Sequence, residues 1–336
     1  MPPAIETLHL TRRYGREIAL DNLNLTVQEG SIYGFIGPNG AGKTTTLRLL
    51  AGLLAPSSGE VRLMGQPQSV GSAQRLVGYM PDVSGVYDDL RVREYLDFFA
   101  RCYGMAAAER QNTVRQLLDL VGLTEKRDAF VQNLSRGMQQ RLSLAHALVH
   151  NPPVLLLDEP ASGLDPRARV ELRELLRTLR EMGKTVLLSS HILSELAEIC
   201  NEIGIIERGK MVVSGSVETV RQQLQGNAKL RMKVLRDRRQ AESALRMLMN
   251  EAKKADAGEE EQATDDVAER PAGLPPIRRL IADPTDPQVI LIETEAVDED
   301  QQAALLAYLM AKGVAVSEFG TQVESLEELF LRLTAA

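Results

Sequence analysis

Leu23, Leu25 and Val27 are separated by single polar residues, the two-residue period of a strand with one buried face. Ser31 to Ile36 is a short apolar run that ends in a glycine-rich loop. Val154 to Leu157 is apolar throughout, too short for a helix, and bounded by Pro152-Pro153 and Pro160. That pattern predicts a strand buried on both faces, as in a parallel sheet, and Thr185 to Leu188 predicts a second. Ile203 to Glu207 and Lys210 to Val213 flank Arg208-Gly209, a hairpin signal. Helical spacing of apolar residues predicts helices over Thr45 to Leu50, Val92 to Tyr103 and Thr113 to Val121.

Beyond residue 223 the pattern changes. Strands are predicted at Leu230 to Leu235, Ile277 to Ile281, Val289 to Glu293 and Val314 to Phe319, with helices at Gln240 to Met249 and Gln301 to Met310. The order β-α-β-β-α-β is the split-βαβ arrangement. A last helix, Ser325 to Leu333, is predicted from a Ser325/Glu328 capping box. Six of seven Tyr lie before residue 223. Two domains are therefore expected, 1–222 and 223–336. The segment Glu251 to Arg270 holds eight acidic and three basic residues and, apart from Val267, only Ala as apolar residue. It has too little apolar surface to offset the entropy of ordering and reads as a disordered acidic loop.

Composition adds exclusions. With 44% hydrophobic and 25% charged residues, the 336-residue chain is an ordinary globular sequence, not a disordered or fibrous one. Its net charge of −7 argues against duplex DNA, and no nucleic-acid partner is expected. Two cysteines, Cys102 and Cys200, do not make a disulfide framework. No apolar run approaches the roughly 20 residues that span a bilayer, and no secretory signal is visible. A membrane role would then go through a partner.

The chemistry is concentrated in a few positions. Gly37-Pro38-Asn39-Gly40-Ala41-Gly42-Lys43-Thr44 fits G-x-x-x-x-G-K-[ST], between a predicted strand and a helix that begins at Thr45. Glycines let the backbone turn N–H groups inward around phosphate oxygens. Lys43 supplies a point charge, Thr44 a hydroxyl for Mg²⁺, and the following helix its positive end. The buried strand at Val154 ends in Asp158-Glu159: an Asp suited to Mg²⁺, directly or through water, and a Glu that could orient a water. His191 follows the second buried strand and would reach the same sheet edge. Singly, the acidic pair could cap a turn and the histidine could be structural; the phosphate loop upstream gives them a shared purpose.

Together these residues closely resemble the ATP-binding subunits of ABC (ATP-binding cassette) transporters over about residues 4 to 222. The loop resembles Walker A, and Leu155 to Glu159 resembles Walker B with its glutamate. Leu134-Ser135-Arg136-Gly137-Met138-Gln139-Gln140 resembles the signature, Ser162-Gly163-Leu164-Asp165 the D-loop, and His191 the switch histidine. Tyr14 sits where the family stacks an aromatic ring on adenine. The resemblance implies an α/β P-loop NTPase cassette with antiparallel β and helical subdomains, the latter at about 88–150, followed by the small α+β (ferredoxin-like) domain. It implies ATP and Mg²⁺, held by Lys43 and the loop amides, with Thr44 and Asp158 on the metal. Ser135, Gly137 and Gln139 would meet the ATP of a facing subunit, in a homodimer or a pair with a similar cassette. It further implies a separate membrane permease and a place on the inner face of the cell membrane, peripheral and cytoplasmic.

Two departures stand out. Arg136 replaces the first signature glycine; it could approach a γ-phosphate or face solvent. Asp82 stands where the family has Gln, a position that touches Mg²⁺ or the attacking water. Asp accepts but does not donate, so turnover with altered Mg²⁺ dependence is expected. Both departures resemble the ABC-2 exporter branch. Tyr87, Tyr95, Phe98 and Phe99 fall where the family receives a permease helix; Phe98 and Phe99 read better as core, Tyr87 as interface. The alternatives are a soluble ABC ATPase acting on ribosomes or DNA, and a nucleotide-sensing scaffold without turnover. The first usually carries two cassettes or a coiled-coil insertion, and intact Glu159 and His191 argue against the second.

Overall fold

The computed structural model describes residues 3–68, 75–82, 85, 89–225, 228–256, 273–283, 286–294 and 297–322. The chain divides into two units, Met1–Arg221 and Gln222–Leu329.

In chain order the first unit runs β1 (Ile5–Tyr14), β2 (Glu17–Val27), β3 (Ile32–Ile36), α1 (Lys43–Leu50), β4 (Ser58–Leu63), β5 (Gln66–Pro67) and β6 (Val77–Met80). Three helices follow, α2 (Val92–Cys102), α3 (Ala107–Leu120) and α4 (Arg136–Leu148). It closes with β7 (Val154–Leu157), α5 (Pro166–Glu181), β8 (Thr185–Ser190), α6 (Leu193–Ala197), β9 (Glu202–Glu207), β10 (Lys210–Ser216) and α7 (Val217–Gln225). One sheet is antiparallel, in the order β2-β1-β4-β5. The other has the order β10-β9-β3-β8-β7-β6, parallel except for edge strand β10. Every residue of β3, β7 and β8 is buried, because the central strands of this sheet are covered on both faces. The half-polar β2 instead buries alternate residues, Leu23, Leu25 and Val27, against Tyr33, Phe35 and Leu47.

This strand order positions the chemistry. β9, β3, β8, β7 and β6 run parallel side by side, so the residues after their C-terminal ends meet along one edge. Those residues are Arg208 after β9, the Gly37 loop after β3, His191 after β8, Asp158-Glu159 after β7 and Asp82 after β6. Open α/β sheets bind ligands at that edge.

The second unit runs β11 (Ala228–Val234), α8 (Arg238–Asp256), β12 (Ile277–Ala282), β13 (Val289–Thr294), α9 (Glu299–Ala311) and β14 (Val316–Thr321). Its antiparallel sheet has the order β12-β13-β11-β14, the split-βαβ topology. Leu230, Met232, Ile290 and Ile292 point to one face and pack with Leu245, Leu305 and Leu309 of the helices. The acidic loop expected over 251–270 is corrected at its start. Helix α8 continues to Asp256, because Glu251-Ala252-Lys253-Lys254-Ala255-Asp256 is rich in strong helix formers and extends a helix already begun. The rest of that segment, from 257 on, and the helix expected at Ser325 to Leu333 lie outside the described residues.

Candidate nucleotide site

The phosphate loop leaves β3 at a position only glycine fills: a Cβ on Gly37 would lie 2.4 Å from the Ile206 carbonyl oxygen. At its other end Gly42 caps α1 with φ +109°, a conformation that L side chains rarely adopt, and no side chain caps the helix. The first amides of α1 are thereby left for a ligand. Lys43 is buried, and its Nζ donates to the Gly37 carbonyl at 2.7 Å and the Pro38 carbonyl at 3.3 Å. It also pairs with Glu159 Oε1 at 3.3 Å.

Glu159 is held from three sides. Its backbone sits at φ +49°, unusual for a residue with a side chain. Its N–H donates to Ser189 Oγ at 2.9 Å, and its Oε2 lies 2.9 Å from His191 Nδ1. The same Ser189 hydroxyl donates to Asp158 Oδ1 at 2.7 Å. One serine of β8 thus orients both acids at the tip of β7. Asp158 is 1% exposed, and its Oδ2 is buried without a hydrogen-bond partner. Burial pushes its carboxyl above the usual range; the hydroxyls of Ser189 and Thr44 pull it back, while Asp82 and Glu159 push it further up. A buried carboxylate oxygen with no donor, beside a threonine hydroxyl and two more acids, fits a hydrated divalent cation such as Mg²⁺.

Tyr14, Pro38, Asn39, Gly40, Gly42, Lys43, Thr44, Thr45, Asp82 and Glu159 surround one cleft of about 530 Å³. Ala41 is buried behind the loop. Tyr14, 44% exposed, has the Arg12 guanidinium 4.6 Å from its ring centroid. Glu17, Ile18, Ala19 and Arg208 also line the cleft, and sequence reasoning missed them together with Ser189.

Ser135, Gly137 and Gln139 do not line this cleft. Ser135 caps α4 by accepting from the Met138 N–H at 3.4 Å. A Cβ on Gly137 would lie 3.0 Å from Ala168 Cβ, so α4 and α5 begin in close contact. Gln139 turns its amide inward, donating to the Val131 carbonyl at 3.4 Å. The exposed Arg136 lays its guanidinium against Gly163, where a Cβ would come within 2.4 Å of Arg136 Cζ. It therefore spans the signature-like and D-loop-like segments.

A second cleft, about 810 Å³, lies in the helical region and is lined by α2 and α3 residues including Arg93, Asp97, Phe98, Arg101, Arg110 and Arg115. Phe98 is 44% exposed there, against the expectation of a core residue. Its ring faces the gap between the helices, whereas Phe99 stacks on His146 of α4 at 3.6 Å between centroids. Tyr87 lies outside the described residues.

A glycine loop between a buried parallel strand and a helix, an acid pair two strands over and a polar cleft between them define a P-loop nucleotide-hydrolysing fold. Residues 20–162 match the family model described as ABC transporter. The chain is 43% identical over 215 residues to the Nod factor export ATP-binding protein I of Paraburkholderia xenovorans, covering 63% of this chain and 71% of that protein. It is 41% identical over 215 residues to the bacitracin transport ATP-binding protein BcrA of Bacillus licheniformis, covering 63% and 69%. A solved ATP-binding subunit of an ABC transporter superposes with a TM-score of 0.59 at 30% identity, over 66% of this chain and 92% of that one. An ATP-binding cassette in its ADP conformation gives a TM-score of 0.60 at 20% identity and supports the fold alone. The chain belongs to the ATP-binding subunits of the ABC transporter family, and it is an ATP-hydrolysing cassette.

Proposed function

We propose that the chain powers a separate membrane permease of the exporter type, binding and hydrolysing ATP in the cleft beneath Tyr14. The cluster Lys43–Glu159–His191 beside the unpartnered Asp158 oxygen carries this reading. ATP lays its base on Tyr14 and its phosphates in the Gly37–Thr45 loop. Lys43 exchanges its carbonyl and Glu159 partners for the β- and γ-phosphates, which releases Glu159. The freed carboxylate accepts a proton from the attacking water, and the P–O bond to the β-phosphate breaks in line, leaving ADP and phosphate. His191, freed from Glu159 at the same moment, hydrogen-bonds the γ-phosphate. Thr44 and Asp158, with Asp82 near them, would hold Mg²⁺, which spreads the charge that builds on the β- and γ-phosphate oxygens. Ser135 and Gly137 of a facing cassette close the site, since they do not line the cleft of their own chain.

Among the described residues no helix is long and apolar enough to cross a membrane. The names of the Nod factor and bacitracin relatives, both ATP-binding proteins of transport systems, support export through a separate chain. The α2–α3 cleft, with exposed Phe98 among arginines, supports a docking place for a permease helix. The test is purification of the tagged chain from detergent-solubilised cells. A stoichiometric multi-span membrane protein is expected. Recovery of ribosomal or DNA-repair proteins instead would replace the exporter reading with that of a soluble ATPase.

A further inference from the structure

The turn between β9 and β10 breaks a local rule at the edge of the cleft. Glu207 pairs with Lys210, so the loop has two residues, Arg208 at φ +47° and Gly209 at φ +79°. Two left-handed residues in a two-residue hairpin make a type I′ turn, whose first position favours Asn, Asp or Gly. An arginine there is strained, and residues held in such conformations gather at functional sites. The turn is also clamped in place. The Gly209 N–H donates to the Ala41 carbonyl of the phosphate loop at 2.9 Å, and the Asp21 N–H donates to the Gly209 carbonyl at 2.9 Å. A Cβ on Gly209 would lie 2.7 Å from the Ala19 carbonyl oxygen, so the turn is wedged between β2 and the phosphate loop. From this fixed base the Arg208 side chain lines the cleft. It is 82% exposed, and its ion pair with Glu207 is loose, at 3.6 Å.

We infer that Arg208 is a nucleotide-binding residue that contacts the α-phosphate. The inference rests on ATP occupying this cleft. Tyr14 is taken as the base end and Lys43 as the β- and γ-phosphate end, with the turn hydrogen-bonded to Ala41 of the phosphate loop and packed on Ala19 of β2, the strand that follows Tyr14. A guanidinium there meets the one phosphate that Lys43 does not serve. Its contact is common to ATP and ADP and is blind to the base.

The test is calorimetric titration of the full chain with Mg-ADP and with a non-hydrolysable ATP analogue, for wild type, Arg208→Asn, Arg208→Lys and Lys43→Ala. Arg208→Asn places a favoured residue in the I′ turn, so its melting temperature is expected to equal or exceed that of wild type. Its affinity for both nucleotides is expected to fall by roughly tenfold and by the same factor. Arg208→Lys is expected to recover part of the loss. Unchanged affinity in Arg208→Asn, with binding still lost in Lys43→Ala, would overturn the contact and leave the cleft reading intact. Loss confined to the ATP analogue would overturn the α-phosphate assignment, and a lower melting temperature with weaker binding would make Arg208 a structural residue. Tight binding by Lys43→Ala would remove the cleft reading, and this one with it.

Discussion

At Asp158 the cost of burial stands against the metal-holding role proposed for it. Its carboxyl is buried, its pKa is raised chiefly by that burial, and one oxygen has no partner. An acid whose folded-state pKa lies above its unfolded value destabilises the fold while ionised, and the penalty shrinks as pH falls toward the folded value. Asp158→Asn is therefore expected to melt a few degrees higher than wild type at neutral pH, while Mg²⁺-dependent turnover drops at least a hundredfold. Thermal melts and steady-state ATPase assays on the same samples check both halves; a variant that melts lower would contradict the burial argument. Glu159 and His191 were readable in the sequence because each follows a short apolar run at a strand end. Ser189, which orients both acids, was not: a serine inside an apolar strand carries no motif, and its role arises only because β8 lies beside β7. Arg208 was hidden for the same reason, since β9 reaches the phosphate loop through sheet order rather than proximity in sequence.

At the scale of elements, α2 and α4 are joined by rings. Tyr95 and Phe99 meet His146, with the Tyr95 hydroxyl 3.3 Å from His146 Nδ1, and Tyr103 stacks on His150 at 4.2 Å. Burial lowers the His146 pKa from 6.5 to about 4, with a smaller push from His150, and burial lowers His150 as well. A histidine kept neutral in the fold contributes stability that is complete above pH 6.5 and is lost progressively as pH falls toward about 4. Denaturant titrations at several pH values should therefore show falling stability across that window, and His146→Gln should flatten the slope. A mutant slope equal to wild type would place the acid sensitivity elsewhere. Patterning predicted the buried strands well because all-apolar runs bounded by proline have few alternatives. It cut helices short: α3 begins at Ala107, ahead of the expected Thr113, and α8 runs to Asp256. Stretches rich in Ala, Glu and Lys prolong a helix without adding apolar periodicity.

For the whole molecule, two units divide the work. The first carries the nucleotide cleft and the helical cleft; the second is a split-βαβ sheet with its own core, and small sheets of this kind serve many purposes. Two parts of the expected site, the signature-like Ser135 and Gly137 and the acids around Asp158, are built in different regions of one chain. Spacing does not bring the two regions together, because nothing in a linear sequence says which surface faces a second copy; the family resemblance alone pairs them across two copies. On the proposed pairing of two cassettes, hydrolysis is expected to rise steeply with protein concentration, and a rate per chain that is independent of concentration would contradict that pairing.

The most direct measurement compares Glu159→Gln with wild type in the same vessel: ADP formation under saturating Mg-ATP, alongside retention of radiolabelled ATP after gel filtration. With Glu159 as the base, turnover falls by roughly 10²–10⁴-fold. Loss of the Lys43–Glu159 ion pair leaves ATP binding intact or tighter, so labelled ATP elutes with the protein, in the dimer fraction. Hydrolysis at the wild-type rate would contradict the account, because some group other than the one gathered by Lys43, Ser189 and His191 would then be activating the water.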